Sequence, residues 1–207
     1  MYLPNLLTIL RVLLTPIFLY FLFHDGFSFK FISLIVFSVA SLTDRYDGII
    51  ARKFGAVTKW GTFSDPLADK LLVSSALFAF YNLGYIFLWV VIIIVTRDFL
   101  VTFLRIYAIH KREPVVTSQL ARVKTFVQIV SIFVIFLFLL LEQLAIKRGS
   151  EFAILTTLQK MYFIHILMVI VALLTAYTGL QYFIVNRNHI ISIFKPSKQT
   201  ISPSDSR

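Results

Sequence analysis

The chain has 207 residues, of which 58% are hydrophobic, 14% are charged and none is cysteine. Its mean hydropathy is +0.85. A soluble domain carries about a quarter charged residues, so this composition excludes one, along with intrinsic disorder, collagen-like repeats and a disulfide-stapled secreted fold. Without cysteine, thiol catalysis, thiolate zinc sites and redox switching are excluded as well. What remains is an all-α polytopic membrane protein. The net charge of +10, from 20 Lys+Arg against 10 Asp+Glu, then marks a cytoplasmic face and its anionic lipids rather than a nucleic-acid partner.

A membrane helix needs about 20 mostly apolar residues, and six stretches qualify in chain order. Leu6 to Phe23 is interrupted only by Arg11, and it lacks the basic start and small-residue cleavage site of a signal peptide. Phe31 to Ile50 is apolar until Asp44 and Asp47. Asp65 to Leu83 follows, then Tyr85 to Ile109 with Arg97, Asp98 and Arg105. Lys124 to Leu141 is the fifth, and Met161 to Val185 the sixth and least interrupted. No internal repeat is visible. Residues 1–185 read as one membrane domain and 186–207 as a polar, basic tail, expected to be disordered towards its end.

Six alternating spans put 52–64, 110–123 and 186–207 on the same side as both termini. Assigning each basic residue to its half of the molecule gives this side 16 of the 20, leaving Lys30, Lys147, Arg148 and Lys160 opposite. Both termini are therefore expected in the cytoplasm.

Ionisable residues within membrane helices cost about 2.5–3.5 kcal/mol each on insertion scales and usually serve function. Four of the ten acids fall between Asp44 and Asp69, at the cytoplasmic ends of two consecutive helices. Asp44, Asp47, Gly48, Ala51 and Arg52 follow i, i+3, i+4, i+7, i+8, one helical face; Gly61, Asp65 and Asp69 follow i, i+4, i+8. A short loop from Lys53 to Trp60 makes the two helices antiparallel neighbours whose acidic faces can meet. Four facing carboxylates repel unless a hard divalent cation joins them, and all-oxygen ligation suits Mg²⁺, Mn²⁺ or Ca²⁺. The plainer alternative is a set of boundary salt bridges to Arg45, Arg52, Lys53 and Lys70. Four acids in phase, with glycines in the same stripes, favour the metal site.

The stretch TDRYDGIIARKFGAVTKWGTFSDPLADK resembles the signature of the CDP-alcohol phosphatidyltransferase family, D-x2-D-G-x2-A-R-x8-G-x3-D-x3-D. Asp44, Asp47, Gly48, Ala51, Arg52, Gly61, Asp65 and Asp69 fill every fixed position. The resemblance implies that Asp44, Asp47, Asp65 and Asp69 hold one or two Mg²⁺ or Mn²⁺ ions. It implies that Gly48, Ala51, Arg52, Thr58 and Gly61 bind CDP-diacylglycerol, that Asp69 is the general base for an acceptor hydroxyl, and that the protein is a homodimer.

The choice of acceptor must be read outside that signature. Arg97 and Asp98 lie deep in the fourth span, Arg105 is eight residues on, and Arg122 and Lys124 open the fifth. A phosphorylated acceptor would use such a cluster, and the alternative is snorkelling to lipid headgroups, which fits Arg122 but not the deeper Arg97. Arg11, in a polar stripe with Asn5 and Thr8, is a further candidate for the same cavity. YLPNLLTILRVLLTPIF, VTRDFLVTFLR and LARVKTFVQ resemble the branch of the family that uses glycerol 3-phosphate, with Asp98 where that branch usually has Glu and Ala121-Arg122 where Gly-Lys is commoner. That resemblance implies that Arg97, Arg105 and Lys124 meet the acceptor phosphate, at the cytoplasmic face of a bacterial inner membrane. Three rivals stay open: the same chemistry on serine, inositol phosphate or another phospholipid; a cation-coupled transporter or channel, which the one-sided acids and missing repeat disfavour; and a non-catalytic lipid-binding scaffold.

Overall fold

The computed structural model describes the backbone of residues 3–54, 59–110, 119–147 and 152–194, and the side chains of 8–43, 66–109, 119–147 and 162–187. Among the described residues every element is a helix: α1 (Leu3–Phe23), α2 (Phe27–Phe54), α3 (Lys59–Asn82), α4 (Leu88–His110), α5 (Gln119–Lys147) and α6 (Phe152–Phe194). These correspond one to one with the six apolar stretches. All but α4 are longer than their stretches, because hydropathy marks the apolar part of a helix and not its hydrogen-bonded end. The largest overshoot is in α6, which continues through Phe194, so the boundary expected after residue 185 falls inside a helix.

Among the described residues two segments, Gln119–Lys147 and Tyr162–Arg187, are long and apolar enough to cross a membrane, and Thr8–Phe23 and Phe27–Thr43 are shorter apolar helices. In α4 the apolar run is broken by Arg97, Asp98 and Arg105.

The helices pack as a closed ring in the order α1, α2, α5, α6, α4, α3, with α2 also touching α3 across it. The pairing expected between α2 and α3 is thus present, but among the described residues α1 packs more extensively on each of them. The consecutive pairs α1–α2, α3–α4 and α5–α6 lie side by side, and α6 packs against both α4 and α5.

Inside the ring, Phe18, Phe37, Phe80 and Phe136 come from four different helices and are fully buried. Phe136 sits 6.1, 5.6 and 5.3 Å from the rings of Phe18, Phe37 and Phe80, tilted or edge-on to each. Such geometry suits the ring quadrupoles and seals this level of the interior. The outside is also apolar. On α6, Ile166, Ile170, Leu173, Tyr177, Leu180 and Ile184 are all more than half exposed at alternating spacings of four and three. A continuous apolar stripe of that length suits lipid rather than water.

Beyond the phenylalanines, the end where α1 turns into α2 is tied by polar contacts. Gly26 takes φ +116 at the turn, and its N–H donates to Gln143 Oε1 at 3.1 Å. Lys30 Nζ donates to the carbonyl of Leu22 at 2.6 Å, and the Tyr85 hydroxyl donates to Glu142. The α3–α4 connection, closed by Gly84 at φ +83 with Tyr85 N–H on Phe80 O at 2.9 Å, is thereby fastened to α5. Tyr85→Phe is expected to lower unfolding stability by about 1–2 kcal/mol by stranding the Glu142 carboxylate. Thermal unfolding in detergent checks this, and an unchanged midpoint would mean that water replaces the phenol at no cost.

Candidate active site

The described helices account for the spacing of the aspartates. Helix α2 runs unbroken from Phe27 through Phe54, so positions 44, 47, 48, 51 and 52 keep their helical register; α3 does the same for 61, 65 and 69. The side chains of Asp44, Asp47, Gly48, Ala51, Arg52, Gly61 and Asp65 lie outside the described residues, as does Thr58 altogether. Asp69 is described. Its carboxylate is partly exposed, with Lys70 Nζ 3.6 Å from Oδ2, longer than a hydrogen bond, so its lone pairs are not consumed by that contact.

One turn before Asp44, the carbonyl of Ala40 accepts from Arg11 Nε at 3.3 Å. Arg11 is almost completely buried. This joins the middle of α1 to α2 one turn before the acidic stretch.

The basic residues of α4 and α5 form a second group, and the structure brings Arg97, Asp98 and Lys124 together. Lys124 Nζ donates to Asp98 Oδ1 at 2.5 Å, and Arg97 Nη1 donates to the same oxygen at 3.3 Å. Lys124 is fully buried and Asp98 nearly so. Two cations on one carboxylate leave this group with a net positive charge. Its interactions bridge the consecutive helices α4 and α5. Lys70 lies within electrostatic reach of both Asp98 and Lys124. The Asp69–Lys70 step of α3 therefore borders the basic group.

Arg105 and Arg122 are both exposed. Arg105 still acts electrostatically on Tyr182 of α6, as does Arg97. The sequence reading assigned no function to α6. In the structure Arg97 Nη2 donates to Thr178 Oγ1 at 3.3 Å, and a Cβ added at Gly179 would stand 3.0 Å from Arg97 Cγ. The signal was available, because Thr175, Thr178, Gly179, Tyr182 and Asn186 share one helical stripe in an apolar span. Each is ordinary alone.

A family model described as CDP-alcohol phosphatidyltransferase matches residues 1–175. The chain belongs to the CDP-alcohol phosphatidyltransferase family. Among similar members is the "Probable phosphatidylglycerophosphate synthase" of Mycobacterium tuberculosis, 41% identical over 133 residues, 63% of this chain and 63% of that protein. The "CDP-diacylglycerol--glycerol-3-phosphate 3-phosphatidyltransferase" of Bacillus subtilis is 38% identical over 143 residues, covering 63% of this chain and 74% of the relative. A Rickettsia felis protein of the same name is 32% identical over 181 residues, covering 87% and 93%. The match thus spans under two thirds of the mycobacterial relative's length and nearly all of the rickettsial one.

The buried pair predicts a clear coupling. Asp98→Leu strands Lys124, and Lys124→Met leaves Asp98 to the more distant Arg97; each is expected to cost about 3–5 kcal/mol. The double variant is expected to cost less than either single one, measured by thermal or denaturant unfolding in detergent. Additive losses would show that the contact is not energetically coupled.

Proposed function

We propose that this chain is an integral membrane enzyme that transfers the phosphatidyl group of CDP-diacylglycerol to sn-glycerol 3-phosphate, releasing CMP. The observation that carries the reading is the buried, net-positive group of Arg97, Asp98 and Lys124 bordering Asp69 and Lys70. A phosphorylated alcohol fits it: the phosphate meets Arg97, Arg105 and Lys124, with Arg11 and Arg122 as flanking charges, while the hydroxyl faces Asp69. The names of the Bacillus and Rickettsia relatives support the same donor and acceptor.

In the reaction, the acceptor hydroxyl oxygen bonds to the phosphatidyl phosphorus as the phosphorus–oxygen bond to CMP breaks. Asp69 accepts the hydroxyl proton. Arginine at the acceptor phosphate orients the nucleophile, converting an encounter of two anions into a positioned attack. Gly48, Ala51, Arg52, Thr58 and Gly61 are assigned to the cytidine diphosphate portion. The donor set Asp44, Asp47, Asp65 and Asp69 is entirely oxygen, on helical registers that group it, and Asp69 keeps free lone pairs. It fits one or two hard divalent ions, Mg²⁺ or Mn²⁺. When bound, these neutralise charge on the diphosphate.

The reading extends to topology. Six spans with both termini cytoplasmic are supported by six apolar helices and the bias of Lys and Arg, and they put residues 1–185 in the bilayer of a bacterial inner membrane with 186–207 on its cytoplasmic side. The homodimer belongs to this reading through the family resemblance alone.

Purified protein given CDP-diacylglycerol and Mg²⁺ is expected to release CMP with sn-glycerol 3-phosphate and to stop with EDTA. Release with serine or inositol phosphate instead would discard the acceptor and keep the chemistry; no release with any acceptor would discard the transferase. Asp69→Asn is expected to lower kcat by about 10²–10⁴-fold with CDP-diacylglycerol still bound, read by turnover beside a binding assay. Turnover within tenfold of the parent would remove Asp69 as the base.

A further inference from the structure

The stripe on α6 is polar for different reasons at different positions. Thr175 Oγ1 donates to the carbonyl of Val171 at 2.6 Å, and Asn186 Nδ2 donates to that of Tyr182 at 2.9 Å. Thr178 Oγ1 donates back into its own helix at 2.9 Å and also accepts from Arg97. Those three side chains spend hydrogen bonds locally, as hydroxyls and amides in apolar helices usually do. Tyr182 does not. It is 5% exposed, and its hydroxyl has no hydrogen-bond partner among the described residues. Arg97 Nε is likewise buried and unpartnered there.

A buried phenol with an unspent donor costs free energy, and native structures rarely leave one unexplained. Its position gives the explanation. Tyr182 is one helical turn, about 5.4 Å along the axis, beyond Thr178, which holds Arg97. It also lies within electrostatic reach of both Arg97 and Arg105. Gly179, between Thr178 and Tyr182, has no side chain to obstruct the stem of Arg97 as it crosses α6. An unspent hydroxyl within electrostatic reach of two guanidinium groups matches one ligand chemistry, an anionic oxygen with room for several donors. A phosphate monoester supplies it.

We infer that Tyr182 is an acceptor-binding residue, its hydroxyl donating a hydrogen bond to a phosphate oxygen of the phosphorylated alcohol held by Arg97 and Arg105. This rests on the function proposed above and adds α6 to the acceptor site. The hydroxyl binds and orients; it takes no proton from the nucleophile. Gly179 acts through Arg97 as a positioning residue.

Tyr182→Phe keeps the ring and removes only the donor. Its KM for glycerol 3-phosphate is expected to rise about ten- to a hundred-fold, with the KM for CDP-diacylglycerol unchanged and kcat within about threefold. Gly179→Ala should raise the same KM and leave that for the donor alone. A rise in the CDP-diacylglycerol KM instead would assign the hydroxyl to the diphosphate, and unchanged constants would make it structural; either overturns the inference. A second measurement needs no turnover. In the Asp69→Asn protein, glycerol 3-phosphate should raise the melting temperature more than glycerol or inorganic phosphate at equal concentration, and Tyr182→Phe should remove the excess. Equal protection by inorganic phosphate, or an excess that survives in Tyr182→Phe, would overturn it. If the parent enzyme releases no CMP while this protection pattern holds, the transferase reading fails and the Tyr182 contact stands.

Discussion

The Asp98–Lys124 pair is the contact on which the rest of the candidate site depends. Its two side chains join α4 to α5, helices that follow one another in sequence. A lysine with no exposed surface and a carboxylate with almost none cannot stand there singly, because removing an isolated charge from water costs several kcal/mol. Paired at 2.5 Å, they hold the two helices at a fixed distance while α6 packs against both. Arg97 joins the same carboxylate and is fixed on its other side by Thr178. One acid thus organises two bases from two helices and, through one of them, engages a third.

The bundle is divided along its length. At one level Phe18, Phe37, Phe80 and Phe136 fill the interior from four helices and keep water out. Towards the α2–α3 end the interior carries charge instead. The phenylalanines make that charge effective, since interactions near an apolar seal are less screened than in water. At the opposite end the Tyr85–Glu142, Lys30 and Gly26 contacts close the ring without touching the acidic stretch. Those ties and the candidate site thus lie at opposite ends of the ring.

Much of this was legible in the sequence, for identifiable reasons. Six helices could be read because each exposes an apolar stripe and buries another. Their ends could not, because Asn186 to His189 continue a helix perfectly well without being apolar. The aspartates were legible because carboxylates are scarce here and their helical phase is visible in a string of letters. Lys124 was only partly legible: sequence gives its charge and depth, but not that Asp98, 26 positions earlier, takes its shortest contact. Arg105 and Arg97 share a stripe of α4, yet one is exposed and the other held by α6, a difference made by the partner helix. The contribution of α6 was missed because threonine, glycine and tyrosine carry no charge to mark them. Only an arginine from another helix resting on Thr178 and Gly179 gives them meaning.

An acid at the centre of a site proposed to bind phosphate needs a physical reason. Arg97, Arg105 and Lys124 without Asp98 would be three like charges near a low-dielectric interior, and their repulsion would spread them apart whenever the acceptor was absent. Asp98 neutralises part of that repulsion and keeps the donors positioned before binding, so little ordering remains for the substrate to impose. The same carboxylate weakens the attraction for phosphate, and for an enzyme that is useful. The product of the proposed reaction, phosphatidylglycerophosphate, keeps the acceptor's phosphate, and a site of three uncompensated cations would hold product as firmly as substrate. Interactions equal in both complexes do not accelerate the chemical step. On this reading Asp98 sets the net charge of the site, high enough to collect an anionic acceptor and low enough to release an anionic product.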